Sequence, residues 1–203
     1  ENVLRYQLPS GQIRVLYPMQ LLVETPVTIT SMCRYARWSN NKRWLSEHWD
    51  VVERGIEWIR SAREQTLADP HKPYAGLMPP GFVDGGIANE TADYGSLWWS
   101  MICLEHGSEA ARWLGKPSQA EQWQDLFDRF MASFRQAAHR DARKDPDGNT
   151  YLPIGVADTS TALPQKGQYA FLWPLQYGKF FLREDSLAAS ITHGTLAMLD
   201  GKT

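Results

Sequence analysis

A chain of 203 residues with a net charge of −2 has room for one ordinary hydrophobic core and offers no electrostatic reason to expect nucleic acid or an anionic membrane as a partner. No apolar run approaches the roughly 18–20 residues of a membrane span, and no charged start is followed by an apolar stretch of the secretory kind, so a soluble protein is expected. Whether it is cytoplasmic, or secreted or periplasmic, stays open.

Residues 1–20 read as an extended or irregular segment, with a turn at Leu8-Pro9-Ser10-Gly11 and a short alternating stretch from Gln12 to Tyr17 that Pro18 stops. A first helix is predicted from about Pro26 to Trp38, with Thr25 as N-cap and Pro26 in the tolerated first position. A second follows the turn Ser39-Asn40-Asn41. Its Leu45, Trp49, Val52, Ile56 and Ile59 form an apolar stripe on one helical face, and it ends near Leu67.

The stretch from Gly76 to Trp99 begins as a loop rich in Gly and Pro and carries three carboxylates, Asp84, Glu90 and Asp93. A long acidic loop in aromatic company between two helices is a candidate functional segment. The third helix is predicted from about Asn89 to Leu114, which places Glu90 and Asp93 in its first turn, where the helix dipole favours negative charge. Gly115 closes that helix in the position of a left-handed cap.

Ser118-Gln119-Ala120-Glu121 after Pro117 has the form of a capping box for a fourth helix, whose Ala120, Trp123, Phe127, Phe130, Phe134 and Ala137 share a face. That helix extends to about Arg143 and gives way to the turn cluster Asp145-Pro146-Asp147-Gly148-Asn149. A second long loop, roughly 146–166, carries Asp158. A fifth helix is predicted over about Gln168–Leu182, interrupted or kinked at Pro174, and a sixth from beyond Asp185 to about Leu199.

Three helical pairs emerge, with short links inside pairs and long links between them. Such a pattern is an architectural repeat of αα-hairpins. If the hairpins stack side by side, all long loops fall on one end, which gathers Glu24, Asp84, Glu90, Asp93 and Asp158. The domain reading is therefore an extended segment 1–20 followed by a helical-hairpin domain 21–203.

Other chemistries find little footing. The five histidines are scattered with no zinc-type spacing, and no phosphate-binding glycine loop or nucleophile elbow occurs, so neither metal nor cofactor is expected. Cys33 and Cys103 fall in predicted helices and read as buried free thiols. Nine tryptophans suit either flat-ligand stacking or a core with bulky fillers.

Gly76-Leu77-Met78-Pro79-Pro80-Gly81-Phe82-Val83-Asp84-Gly85-Gly86, followed by Leu97-Trp98-Trp99, resembles the third-helix start of six-hairpin glycosidases. Tyr169-Ala170-Phe171-Leu172-Trp173-Pro174 and Gly194-Thr195-Leu196-Ala197-Met198-Leu199 are similar to later segments of the same group, whose relatives include rhamnosidases and debranching enzymes. The resemblance covers roughly residues 18–203 and implies an all-α (α/α)6 toroid, of which about three of six hairpins are present. It further implies an inverting glycoside hydrolase with Asp84 as general acid and Glu90 as the second choice. Asp84 between glycines and beside Phe82 would be partly desolvated, which raises a carboxyl pKa toward that of a useful acid; the bland alternative is an Asx-turn. Inversion requires a second carboxylate roughly 6.5–9.5 Å away, and the family's late catalytic loop is not among these residues.

On this reading Asn89 and Asp93 hold sugar hydroxyls, Tyr94, Trp98 and Trp99 supply a stacking wall, and Trp173, Glu24 and Asp158 line the mouth. An oligosaccharide or glycoside is the expected substrate. The alternatives are a non-catalytic carbohydrate-binding half and a helical interaction scaffold. Three hairpins of six also imply a fragment or a half-ring, and open helix flanks imply self-association or pairing with a missing C-terminal half.

Overall fold

The computed structural model describes residues 2–16, 21–83, 87–159, 172–179, 181 and 185–199. A 3-10 helix, Asn2–Tyr6, leads into a turn closed by the bridge between Gln7 and Ile13, so the first segment is wound rather than extended. Then come α1 (Glu24–Trp38), α2 (Lys42–Glu47), α3 (Trp49–Leu67), β1 (Gly81–Val83), β2 (Ile87–Thr91), α4 (Tyr94–Leu114) and α5 (Pro117–Asp141). A two-residue-per-strand hairpin, β3 (Arg143–Lys144) and β4 (Thr150–Tyr151), precedes the helical residues 172–177 (α6) and the last helix, α7 (Ser186–Leu199).

The helices lie in two layers whose directions follow from their contacts. Tyr35 meets Trp44 while Ile29 and Thr25 meet Gly55, so α1 and α3 are antiparallel. Tyr94 meets Asp141, Trp98 meets Phe134 and Gly107 meets Trp123, so α4 and α5 form a second antiparallel hairpin. The hairpins stand side by side. Thr30 and Arg37 of α1 face Cys103 and Glu109 of α4 in parallel, and Trp49 and Arg63 of α3 face Trp123 and Ser133 of α5 likewise. Trp173 sits against Gly95 and the Tyr177 carbonyl accepts from His106, so α6 runs parallel to α4. All-helical pairing with a few short strands is thus the observed architecture.

The apolar stripes are the reason the layers adhere. Leu45, Trp49, Val52, Ile56 and Ile59 are all buried, as are Ala120, Trp123, Phe127, Phe130, Phe134 and Ala137. Each large side chain withdrawn from water in this way contributes about 1.5–3 kcal/mol. Close approach of α3 and α5 to α4 depends on Gly107, where a Cβ would lie 2.7 Å from Ile56 Cδ1 and 3.2 Å from Trp123.

Several local expectations need correction. The second helix is broken at His48, whose ring Nδ1 donates to the Trp44 carbonyl at 2.8 Å while its backbone N–H donates to the Leu45 carbonyl. Helix α1 begins at Glu24 and not at Pro26. Thr25 is no cap, because its buried hydroxyl accepts the Ile13 N–H at 2.8 Å. Nor does Ser118 cap α5. Pro117 already occupies the first helical position, which makes Lys116 the cap residue and leaves no side-chain acceptor there. The fifth helix has ended by Gly178, and the turn at Asp145 organises the β3–β4 hairpin, its carboxylate accepting from the N–H groups of Asp147 and Asn149. Gly115, at φ 80°, and the start of α7 after Asp185, whose carboxylate accepts from the Ala188 N–H, match the sequence reading.

Candidate functional site

The third helix starts five residues later than its composition suggests. Residues 89–91, predicted to open it, belong to β2, which pairs antiparallel with β1 in the register Gly81 with Thr91 and Val83 with Ile87. The backbone beyond is committed to a tertiary partner. The Tyr94 N–H donates to the Ile154 carbonyl at 3.0 Å and the Val156 N–H to the Ala92 carbonyl at 2.9 Å. Residues 92 and 93 are thereby held extended, with Asp93 at φ −133°, and the helix begins only at Tyr94. Asn89 and Glu90 therefore lie in a strand and not in a first helical turn. Asp84, the presumptive acid, lies outside the described residues, between the paired Val83 and Ile87.

Asp93 is the N-cap of α4. Its Oδ1 accepts from the Ser96 N–H and its Oδ2 from the Ser96 hydroxyl, both at 2.7 Å. At 4% exposure it has no surface to offer a sugar. Burial raises its pKa, and the bonds from Ser96 and Gly95 only partly offset that.

Tyr94 and Trp98 belong to the core and form no stacking wall. Both are essentially inaccessible, and they pack edge-on against Phe134 with ring centroids 6.1 and 4.4 Å away. The Tyr94 hydroxyl donates to Asp141 Oδ2 at 2.7 Å. The same oxygen accepts the Ala157 N–H at 2.7 Å, and Arg140 clasps both carboxylate oxygens from the neighbouring position. Burial works to raise the Asp141 pKa, but the bonds from Arg140, Tyr94 and Ala157 outweigh it and hold the carboxyl below its usual value. Burial, and then the Asp141 carboxylate, push the Tyr94 phenol up.

This network fixes the second long loop beside the first. Ala157, at φ 55°, turns the chain where its N–H meets Asp141. Asp158 then folds back over Gly155, its N–H donating to the Gly155 carbonyl at 3.3 Å. Gly155 in turn bridges to Asp93. Trp173 completes the cluster, because only a glycine at 95 leaves room for its ring, which a Cβ there would approach to 2.8 Å. Trp99, half-buried, has Trp173 at 5.7 Å and Tyr177 stacked at 5.3 Å.

Glu24 reaches the same end of the fold by another route. Its carboxylate accepts the N–H groups of Val15 and Leu16 at 3.2 and 2.8 Å, tying the N-terminal segment to the start of α1. Gly81 of β1 rests on Leu22, just before that helix start, so closely that a Cβ would lie 2.6 Å from it. The starts of α1, α4 and α6, the β1–β2 hairpin and the 154–158 loop therefore gather at one end of the parallel layer. That is where the long-loop pattern expects them. Asp93, Tyr94 and Trp98 are present there as supports, while Trp99, Trp173 and Asp158 remain at least partly accessible.

Asp141 escapes sequence reading because it is one charge in the polar run from His139 to Lys144 and makes its bonds to residues 47 positions before and 16 positions after it. Only its spacing from the stripe, about one helical turn beyond Ala137 and two beyond Phe134, hints that it faces inward.

Among the described residues no group of three or more potential ligands is placed to hold a metal ion, and no helix is long and apolar enough to cross a membrane. Cys33 and Cys103 are buried free thiols on facing helices. A scan against protein-family models finds no match, and a search of curated proteins likewise finds none.

Proposed function

We propose that the chain is a carbohydrate-active protein of the helical-hairpin, six-hairpin-glycosidase type, acting on O-glycosidic bonds as an inverting hydrolase does. The observation that supports this most is the gathering of the β1–β2 hairpin, the 154–158 loop and the starts of α1, α4 and α6 at one end of a parallel helix layer. Two hairpins laid side by side are also the repeating unit from which a toroid is built, and this chain is read as about half of one.

In this reading Asp84 protonates the leaving oxygen, with Glu90 as the alternative acid. Trp99 and Trp173 are the aromatic pair against which a sugar ring stacks, and Asp158 accepts from its hydroxyls. Asp93, Tyr94 and Trp98 act from beneath, by fixing the start of α4 and the loop above it. A base opposite the acid completes inversion, and the partner that supplies it is a second copy or a further half of the ring.

The test is hydrolysis of a panel of oligosaccharides and aryl glycosides, with the product anomer followed by NMR. Asp84→Asn should lower turnover by orders of magnitude with the fold unchanged. Turnover retained in Asp84→Asn but lost in Glu90→Gln moves the acid to Glu90. Saccharide binding without turnover favours the non-catalytic reading, and no binding across a broad panel overturns the carbohydrate assignment.

A further inference from the structure

A second candidate site lies further along the same helices. The parallel course of α1, α4 and α6 leaves a groove along their C-terminal halves, where a cavity of about 320 Å³ lies between Arg34 and Trp38 of α1, His106 and Glu109 of α4, and Tyr177 and Lys179. It continues into a more apolar stretch of about 540 Å³ that shares Arg34, Trp38 and Tyr177 and reaches Trp99. From Tyr94 to His106 is twelve residues of α4, or roughly 18 Å of helix.

The charges in the groove do not balance. Arg37 pairs with Glu109, and Lys179 lies 4.0 Å from the same carboxylate. The Arg34 guanidinium is stacked over Trp38 at 4.6 Å and Tyr177 at 5.2 Å, and it forms no ion pair among the described residues. Three cations thus face two carboxylates, Glu109 and the neighbouring Glu105, which accepts the Lys179 backbone N–H at 3.1 Å. His106 adds no charge to this count at neutral pH, since burial lowers its pKa; its Nε2 donates to the Tyr177 carbonyl at 3.0 Å, which leaves Nδ1 as an acceptor. A guanidinium placed over two rings can still offer N–H groups to an incoming anion, with part of its side-chain entropy already lost. Trp38, at 77% exposed, offers a flat apolar surface beside it.

We propose that this groove binds an acidic saccharide, a hexuronate residue or short uronate chain, with its carboxylate on Arg34 and Lys179 and its ring against Trp38. The acceptors in the groove select the class. Glu109, held by Arg37 and Lys179, and His106 Nδ1, 4.0 Å from it, are acceptors that suit a ring with hydroxyl donors. The anion site stands on the groove alone; the choice of a sugar for the ring rests on the carbohydrate reading above.

Titration of the chain with trigalacturonate, a neutral galactose trisaccharide and benzoate, followed by tryptophan fluorescence and calorimetry, tests it. Trigalacturonate should bind, weaken as salt rises, and lose about tenfold or more in affinity in Arg34→Gln, the cost of one charge-assisted contact. Lys179→Gln, at a side chain 71% exposed, should weaken it in the same direction without touching the fold. The neutral trisaccharide should bind at least about tenfold more weakly. Absence of uronate binding, equal binding in both charge variants, or binding of benzoate alone overturns the proposal. So does self-association of the chain through this face that Trp38→Ala abolishes and uronate does not compete. Hydrolysis that depends on Asp84 while uronate fails to bind would refute the groove and leave the catalytic reading standing.

Discussion

Asp141→Ala is the substitution that most directly probes how the two long loops are held together. In the native fold one carboxylate oxygen accepts the buried Tyr94 hydroxyl and the part-buried Ala157 N–H, each at 2.7 Å. Removing it strands the buried Tyr94 hydroxyl at about 1–3 kcal/mol and costs less at the part-buried Ala157 N–H, so a loss of roughly 2–4 kcal/mol is expected. Arg140 is half exposed and rehydrates at little cost. Tyr94→Phe alone removes a single bond to a charged acceptor and should cost about 1.5–3 kcal/mol. In the Asp141→Ala background it should cost much less, since the hydroxyl no longer has a partner; the difference is the coupling energy of the pair.

The pH dependence follows from the same geometry. The Asp141 pKa is depressed on folding, so its contribution is present above the unfolded value near 3.9 and is lost as pH falls through the folded one. The Tyr94 pKa is raised, so its contribution is complete below the unfolded value near 10 and is lost as pH rises above it. The pair should therefore support a plateau of stability from about pH 5 to 9 that Asp141→Ala lowers throughout. Urea unfolding followed by far-ultraviolet circular dichroism and tryptophan fluorescence at pH 3, 7 and 10.5 measures this. A change below about 1 kcal/mol at pH 7, or additive effects of the two substitutions, would refute the view that Asp141 is the clasp.

At the start of α4, Asp93→Ala should cost about 1–2 kcal/mol through the lost cap, whereas Asp93→Asn keeps an acceptor, removes a buried charge and should be near neutral at pH 7 in thermal unfolding. Gly107→Ala forces a Cβ against Ile56 and Trp123 and should destabilise by about 1–3 kcal/mol. Gly115→Ala meets nothing within 4 Å and should cost only the left-handed backbone term, about 1 kcal/mol, by the same denaturant assay. Burial pushes the Cys33 thiol up to about 12 and raises Cys103 as well, so both should resist a thiol-specific disulfide reagent in the folded protein and react together on unfolding.

Much of the helical framework is legible in the sequence. The stripes from Leu45 to Ile59 and from Ala120 to Ala137 mark buried faces because periodicity is a property of the helix itself, and Gly115 and Asp185 mark ends because caps act within one turn. Short-range signals fail where a remote group outbids a local one. Ser118-Gln119-Ala120-Glu121 has the letters of a capping box, but Pro117 sets the helix start two positions too early for it. Asn89 to Thr91 have nothing against helix in their own composition; β1 and the Ile154–Val156 segment claim the backbone around them instead.

The candidate site divides along the same line. That long loops share one end of stacked hairpins follows from the order of helices and link lengths alone, because antiparallel pairs alternate direction. Which carboxylates and rings at that end are free follows only from the packed fold. Asp93, Tyr94 and Trp98 look like ligand contacts in a linear reading and are consumed by Ser96, Asp141 and Phe134. Asp141 and Arg34 look like ordinary surface charges and become a clasp and a stacked cation. A side chain's chemistry is written in the sequence; whether its bonds are already spent on the fold depends on neighbours tens of positions away, and only the tertiary structure decides that.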